Sequence, residues 1–236
     1  MNIKVVLFDL DGTLLPMDQD LFVKAYFGGL AKFLAPLGYE SEKLISSIWQ
    51  GTKSMVLNNG TTTNEKAFWN TFCQIYSESA INDEPYFDKF YKTEFKKVKE
   101  VLGYTPQAKK VIDLAVSKGL RIALATNPIF PKIATESRIE WAGLKPNDFE
   151  LYTTYENSSY CKPNPNYYKE IFKKLGVQPQ ECLMVGNDVS EDMVAKSLGC
   201  KVFLLTDCII NKNNQDISVY PNGNFNDLIK FIDCLI

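Results

Sequence analysis

The stretch from Lys4 to Thr13, KVVLFDLDGT, decides the fold of this 236-residue chain. A short apolar run ends in two aspartates one residue apart, Asp9 and Asp11, followed by a glycine and a threonine. A continuous apolar run bounded by a turn signal predicts a strand buried on both faces of a parallel sheet. The alternative is a hairpin, because Asp-Gly between apolar segments is typical of two-residue turns.

The composition is that of an ordinary globular protein, with 45% hydrophobic and 23% charged residues. A net charge of −2 argues against nucleic acid or an anionic membrane as the main partner. No apolar run approaches the ~20 residues of a membrane span. The N-terminal run is too short for a signal peptide, and the six cysteines contain no CxxC pair. We therefore expect a cytoplasmic protein that does not bind membranes.

Two scarce residue types narrow the chemistry. The chain has no histidine, which excludes Ser-His-Asp and Cys-His catalysis and His-ligated metals. It has only two arginines, Arg121 and Arg138. Anion binding must therefore depend mainly on lysine, hydroxyls, backbone N–H groups or a metal.

Residues 17–102 show helical periodicity and no convincing strand. Four segments repeat apolar residues at helical spacing: 18–34, 41–57, 64–79 and 83–102. The block holds 15 of the 30 aromatic residues, enough for a small core of its own. We interpret it as an inserted all-helical domain.

From residue 103 onward, strands and helices alternate. Strands are predicted near 120–125, 149–154, 181–185 and 201–205, with helices near 106–118, 131–141, 165–175, 191–198 and 225–235. This alternation predicts an α/β fold with a doubly wound, mostly parallel sheet. The predicted core therefore comprises residues 1–16 and 103–236, interrupted by the helical insert at 17–102.

Polar residues that could take part in catalysis or ligand binding follow four predicted strands. Right-handed crossovers bring the carboxyl ends of these strands to one edge of the sheet, where such folds bind ligands. The residues expected there are Asp9, Asp11, Thr126, Asn127, Lys162, Asp188 and Asp192.

Taken singly, most of these residues have a structural explanation. Thr126 and Asn127 could form a turn after a strand, Lys162 could be solvated, and Asp188 could cap the following helix. Together they provide a hydroxyl, an amine and several carboxylates, the groups that handle phosphate.

On these residues the chain resembles the haloacid dehalogenase (HAD) superfamily of hydrolases. Asp9-Leu10-Asp11-Gly12-Thr13 is similar to its DxDGT motif, Thr126 to its second motif and Lys162 to its third. Gly186-Asn187-Asp188 with Asp192 resembles the acidic fourth motif, with Asn187 as an intervening residue. The insert lies where the family carries its C1-type helical cap.

The resemblance implies a role for each site residue. Asp9 is expected to attack phosphorus and form an aspartyl-phosphate, and Asp11 to act as general acid and base. Mg²⁺ would be held by Asp9, Asp188 and the backbone carbonyl of Asp11. The phosphate would contact Thr126, Asn127 and Lys162, while Asp192 would support the metal's water or Lys162. We expect a raised pKa for Asp11, because nearby carboxylates oppose its ionisation.

The expected enzyme is a Mg²⁺-dependent phosphatase acting on a small phosphorylated metabolite. The alternatives are a phosphomutase of the same superfamily and a non-catalytic phosphate-binding regulatory module. The insert would close over the crevice, with hinges at 14–17 and 102–105. Polar insert residues could contact substrate, although a solvated loop is the favoured interpretation: Lys53, Asn58, Asn59 and Thr61–Thr63.

Overall fold

A computed structural model describes residues 2–235. Its sheet has six strands, all paired in parallel, in the order β3-β2-β1-β4-β5-β6. The strands are β1 Val5–Phe8, β2 Arg121–Leu124, β3 Leu151–Tyr152, β4 Cys182–Gly186, β5 Lys201–Leu205 and β6 Asn222–Gly223. The predicted α/β fold is confirmed.

Strand β1 lies at the centre of the sheet, between β2 and β4, and all four of its side chains are buried. The strand order runs outward from β1 through β2 to β3 on one side and through β4 to β6 on the other. The position between β1 and β4 is therefore the topological switch point, where open α/β sheets place their ligands. No second strand pairs back after Gly12 in the described residues, so the hairpin alternative is wrong.

Eight α-helices and several short 3₁₀ segments are described. The helices are α1 Gln19–Leu34, α2 Ser41–Val56, α3 Asn64–Ile75, α4 Glu84–Lys92, α5 Gln107–Ser117, α6 Lys132–Trp141, α7 Pro165–Leu175 and α8 Phe225–Asp233. Side-chain caps fix several starts: the Asp18 carboxylate accepts from two backbone N–H groups of the first turn of α1, and Asn164 caps α7. No described helix is long and apolar enough to cross a membrane.

The segment between β1 and α5 contains helices α1–α4, with two corrections to the predicted boundaries. The predicted segment 64–79 forms α3 only as far as Ile75, and the Thr63 side chain caps its start. The predicted helix 83–102 divides into α4 and a 3₁₀ segment, Glu94–Val101. The Thr93 hydroxyl donates to the carbonyl of Lys89 at 2.7 Å, an alternative hydrogen bond that favours the break there.

Three further boundaries differ from the sequence prediction. Strand β3 has two residues rather than six, although Glu150 and Thr153 continue its hydrogen bonds to β2. Residues 193–198 form a 3₁₀ segment where an α-helix was predicted for 191–198. The short edge strand β6 lies in a polar tail that showed no strand pattern.

The two faces of the sheet bury separate apolar clusters. One face packs against α7, and the other packs against α5, α6, α8 and the aromatic side chains of the helical segment. The Phe95 ring lies 5.0 Å from that of Trp141 and 6.5 Å from that of Phe130, both outside the insert. The aromatic core of the insert is thus continuous with one sheet face, not separate from it as its composition suggested.

Hydrogen bonds also connect the helical segment to the rest of the fold. Where the chain enters and leaves this segment, the Gly103 N–H donates to the carbonyl of Pro16 at 2.9 Å. At the start of α3, the fully buried Asn64 amide donates to the carbonyls of Pro128 and Tyr160 and to the Cys161 sulfur. Asn64 therefore contacts the loop after β2 and the loop that carries Lys162.

Candidate active site

Asp9 follows β1 directly and is held by two side-chain hydrogen bonds. Lys162 Nζ donates to its Oδ1 at 2.8 Å, and the Thr13 hydroxyl donates to its Oδ2 at 3.0 Å. The Asp9 N–H continues the ladder to Val185 of β4 at 2.9 Å. The carboxylate is consequently fixed at the switch point of the sheet, with 7% of the residue exposed.

Lys162 joins Asp9 to a second buried carboxylate, Asp192. Its Nζ lies 2.6 Å from Asp192 Oδ1, and Asp192 Oδ2 accepts the N–H of Asp188 at 2.9 Å. Burial alone disfavours the ammonium, but Asp192 and Asp9 outweigh it and raise the pKa of Lys162 well above its usual range. Burial also raises the pKa of Asp192, against the opposing effect of Lys162. The lysine is therefore a permanent cation at neutral pH.

Gly186, the last residue of β4, makes room for this arrangement. A Cβ on Gly186 would lie 2.1 Å from Asp192 Oδ2, a distance that real Cβ contacts do not reach. Only glycine allows the Asp192 carboxylate to fold back against the end of β4 and meet Lys162.

Asp11 is paired with an arginine that was not among the predicted site residues. Arg138, on α6, donates from Nη1 to Asp11 Oδ2, and its guanidinium lies 4.5 Å from the centre of the Phe130 ring. Arg138 is 1% exposed, whereas the Asp11 side chain keeps 23% of its surface accessible. Burial raises the pKa of Asp11, opposed by Arg138 and reinforced by Asp9. The predicted direction agrees, but burial, rather than neighbouring carboxylates, is its main cause.

Asn187 links the loop after β4 to the loop after β1. Its Oδ1 and Asp9 Oδ2 share the single hydroxyl proton of Thr13, and each lies 3.0 Å from the Thr13 oxygen. The Asn187 Nδ2 donates to the carbonyl of Cys208 at 2.7 Å. Gly12 has a positive φ of 85°, and a Cβ there would lie 2.3 Å from Asn187 Nδ2. The residue that interrupts the fourth motif therefore packs on the glycine of the first.

The loop after β2 reaches both neighbouring loops through Asn127. Its Oδ1 accepts the N–H of Lys162 at 3.3 Å, and its Nδ2 donates to Glu191 Oε2 at 3.1 Å. Thr126 is buried, and its carbonyl accepts the Tyr167 hydroxyl at 2.8 Å. Burial raises the pKa of Glu191, a cavity-lining carboxylate that was not among the predicted site residues.

Asp188 is the least buried acidic residue of the fourth motif. Its Oδ1 accepts the N–H groups of Ser190 and Glu191 at 2.8 and 2.9 Å. These bonds close a turn and do not cap a helix as predicted, because the following 3₁₀ segment begins only at Met193. The residue also lines the same cavity as Asp9.

All the predicted site residues except Lys162 line one cavity of about 370 Å³ between the sheet edge and the helical segment. Lys162 lies immediately behind Asp9. The polar insert residues considered as substrate contacts do not line it: Lys53, Asn58, Asn59 and Thr61–Thr63. Asn58, for example, bonds within its own loop to Thr62 and to Asn64.

The donor set at the cavity suits a hard cation. The Asp9 and Asp188 carboxylates are hard oxygen donors, and Asp11 contributes oxygens on the same edge; its Oδ1 is buried without a hydrogen-bond partner. Within residues 2–235, no group of three or more cysteine, aspartate or glutamate side chains has metal-binding spacing. Mg²⁺ needs only one or two carboxylates, with carbonyl, phosphate or water oxygens completing the shell, so the residues fit this ion.

Comparison with known proteins agrees with this geometry. A family model described as haloacid dehalogenase-like hydrolase matches residues 3–199. The chain belongs to this family. Among curated haloacid dehalogenase-like relatives, a phosphoglycolate phosphatase of Vibrio vulnificus strain YJ016 is 26% identical over 208 residues, which are 87% of this chain and 84% of the relative.

Two solved structures share the fold of this haloacid dehalogenase-like hydrolase. A HAD phosphatase from Thermococcus onnurineus superposes with a TM-score of 0.62 at 19% identity, covering 98% of both chains. The L-2-haloacid dehalogenase of Xanthobacter autotrophicus gives 0.60 at 16% identity, covering 99% of this chain and 100% of the other. The predicted superfamily is confirmed, and the fold alone is compatible with more than one hydrolytic chemistry.

Proposed function

We propose that this hydrolase is a Mg²⁺-dependent phosphatase that cleaves a small-molecule phosphomonoester through an aspartyl-phosphate on Asp9. One observation carries the proposal: Asp9 and Asp11 face one cavity, and each is held by its own buried cation, Lys162 and Arg138. Because each aspartate contacts a different cation, one can act as the nucleophile and the other as the proton carrier. The phosphatase names of relatives at about a quarter identity support the same activity.

Electrostatic repulsion is the main obstacle to attack by Asp9. A carboxylate approaching a phosphate dianion at 4 Å meets roughly 4 kcal/mol of repulsion per pair of unit charges at an effective dielectric of 20. Lys162 offsets part of this repulsion because its ammonium is buried 2.8 Å from the nucleophile. The Thr126 hydroxyl and Asn127 N–H are the proposed further contacts of the phosphate.

In the first step, a new P–O bond forms to an Asp9 oxygen as the P–O bond to the leaving group breaks. Asp11 supplies the proton that converts the leaving alkoxide to an alcohol. In the second step, Asp11 removes a proton from water as the water oxygen attacks phosphorus, releasing inorganic phosphate and the free Asp9 carboxylate. The net reaction consumes one water and gives one alcohol and one phosphate.

Asp9, Asp188 and the backbone carbonyl of Asp11 would hold the cation, with Asp192 supporting it indirectly through Lys162. Bound Mg²⁺ would add positive charge opposite the phosphate oxygens. We also propose that residues 17–102 form the cap that excludes water, over a core of residues 1–16 and 103–236, in a cytoplasmic enzyme.

The test is release of p-nitrophenolate from p-nitrophenyl phosphate, with and without EDTA. We expect activity that EDTA abolishes and Mg²⁺ restores, and no turnover in Asp9→Asn. Asp113→Asn, which changes an exposed aspartate on α5, is the matched control and should keep full activity. Full activity of Asp9→Asn would refute the mechanism. An isomerised product in excess of free phosphate would instead identify a phosphomutase.

A further inference from the structure

The cavity that contains the two aspartates has an aromatic upper part. Ten of its lining residues are aromatic, contributed mainly by α1, α2, α3 and α4 and, on the core side, by the loop after β2. Close to Asp11, the Phe130 ring meets Tyr26 edge-on at 5.4 Å and Phe22 at 5.9 Å. A phosphate bound at Asp9 would therefore direct its ester group mainly toward aromatic rings.

Polar atoms in this wall are mostly satisfied by one another. The Tyr26 and Tyr91 hydroxyls are 2.9 Å apart, and each is the other's partner. Burial raises the pKa of Tyr26 to about 12, so this pair stays neutral. The Trp69 indole N–H is buried without a hydrogen bond of ordinary geometry. This wall offers a ligand mainly apolar surface, and its other polar side chains are those of Gln19, Thr52 and Tyr155.

The charges around the cavity disfavour a second anionic group on the substrate. Five carboxylates line it, whereas among its described lining residues only Lys212 carries a positive charge. Lys212 is exposed and follows Ile210, which bridges to Asp188, so it lies on the core side. Arg138 is paired with Asp11 and does not line the cavity. A substrate carboxylate among the rings would thus lack a counter-ion and would lose its hydration.

From the aromatic wall and the lack of an unpaired cation among the described residues that line it, we propose the substrate class: phosphate monoesters of alcohols that carry an aromatic or comparably bulky apolar group. This inference rests on the proposed phosphatase function. It excludes 2-phosphoglycolate, the substrate in the names of several relatives, as the preferred substrate of this chain. The cavity volume is at the lower end of small-molecule sites, which suits a single compact ligand.

The test compares 3-phenylpropyl phosphate with propyl phosphate, because both release a primary alcohol of similar basicity and differ only in the ring. We expect kcat/KM to be at least about tenfold higher for the phenyl compound, as burial of one ring predicts. The kcat/KM for 3-phenylpropyl phosphate should likewise exceed that for 2-phosphoglycolate. Equal values for the two esters, or a preference for 2-phosphoglycolate, would overturn the inference.

Trp49 provides the variant, because its side chain lines the cavity yet remains 51% exposed, so its loss should not unfold the chain. Trp49→Ala should lower the ratio of the two kcat/KM values by about threefold. Tyr86→Ala removes another exposed ring of the insert, one that does not line the cavity, and should leave the ratio unchanged. An unchanged ratio in Trp49→Ala would contradict a role for this wall.

A binding measurement distinguishes an error in the proposed ligand class from an error in the proposed phosphatase function. Two of the three tryptophans, Trp49 and Trp69, line the cavity, so tryptophan fluorescence can follow titration with non-hydrolysable 3-phenylpropylphosphonate and propylphosphonate. We expect Kd at least about tenfold lower for the phenyl compound. Tighter binding without hydrolysis of any ester would support the ligand class and refute the phosphatase. Hydrolysis of both esters without a difference in either measurement would refute the ligand class alone.

Discussion

The Arg138 guanidinium donates to the carboxylate of Asp11, although the two residues are 127 positions apart in the chain. The Arg138 side chain extends from α6, and its guanidinium contacts both the face of the Phe130 ring and the Asp11 carboxylate. The ion pair fixes the orientation of the proposed proton carrier. Because the contact depends on a planar group between a ring and a carboxylate, lysine is a poor substitute for it.

Replacing Arg138 should therefore affect the proton-transfer steps. Arg138→Met is expected to lower kcat for propyl phosphate roughly 10- to 100-fold, the usual effect of losing a residue that orients a site group, with little change in KM. Arg138→Lys should recover only part of this loss. Arg121→Met, which removes the other arginine from a surface pair with Glu150, is the matched control. A merely structural role would lower kcat for alkyl and p-nitrophenyl esters equally.

Asp11→Asn should separate the two chemical steps. A p-nitrophenolate leaving group needs no proton, so the first step should survive, while hydrolysis of the aspartyl-phosphate should slow by about 10²- to 10⁴-fold. Rapid-mixing experiments should then show a burst of one p-nitrophenolate per enzyme followed by slow turnover. Equal slowing of burst and turnover would exclude Asp11 as the base of the second step.

Lys162→Met should be both inactive and unstable. The substitution leaves the Asp9 and Asp192 carboxylates buried without their cation, which costs about 3–5 kcal/mol in comparable buried pairs. Lys109→Met, at an exposed pair with Asp113, should change the free energy of unfolding by less than about 1 kcal/mol. Urea unfolding of the two variants measures the difference.

The same variant should have a characteristic pH dependence. Burial raises the pKa of Asp192, and loss of Lys162 removes the main effect that opposes this rise. A carboxyl whose pKa is higher in the folded state binds its proton more tightly there, so its stability contribution falls as pH rises above about 4. In wild type the pKa of Asp192 is already raised to about 7, so both proteins lose stability alike up to this pH. The difference in unfolding free energy between wild type and Lys162→Met should therefore grow as pH rises above about 7, where the variant alone still protonates Asp192. A difference that shrinks above pH 7 would contradict the burial of Asp192.

Two glycine substitutions should have opposite effects. Gly186→Ala places a Cβ on Asp192 Oδ2, displaces this carboxylate from Lys162 and should both destabilise the chain and lower kcat. Gly28→Ala lies in α1, is exposed and meets no atom within 4 Å, so it should raise the free energy of unfolding by about 0.5–1 kcal/mol. Thermal unfolding of the two variants checks both signs.

The parts of the site that local pattern determines were predictable from the sequence. The run Val5–Phe8 before Asp9 has no polar residue, so it had to be a buried strand, and its position at the centre of a parallel sheet follows from strand–helix alternation. The grouping of Thr126, Asn127 and Asp188 around Asp9 follows from the common edge at which parallel strands end.

Contacts between residues far apart in the chain could not be predicted from local sequence patterns. Arg138 lies in an ordinary helical sequence, and nothing there shows that its side chain reaches Asp11. The hydrogen bond between Asn187 and Thr13 likewise spans 174 positions. The break at Thr93 was missed for a different reason: helical periodicity continues across it, whereas the hydrogen bond of a single hydroxyl decides the backbone.

The buried Asn64 amide couples the position of α3 to that of the loop that carries Lys162. Any movement that separates α3 from the sheet must break its hydrogen bonds to Pro128, Tyr160 and the Cys161 sulfur, beside Lys162. A ligand that fills the aromatic cavity and holds the insert in place thereby also restrains the backbone that carries the ammonium. Part of the binding energy of the distant ester group would then raise kcat for the reaction at phosphorus, and would not appear as a lower KM.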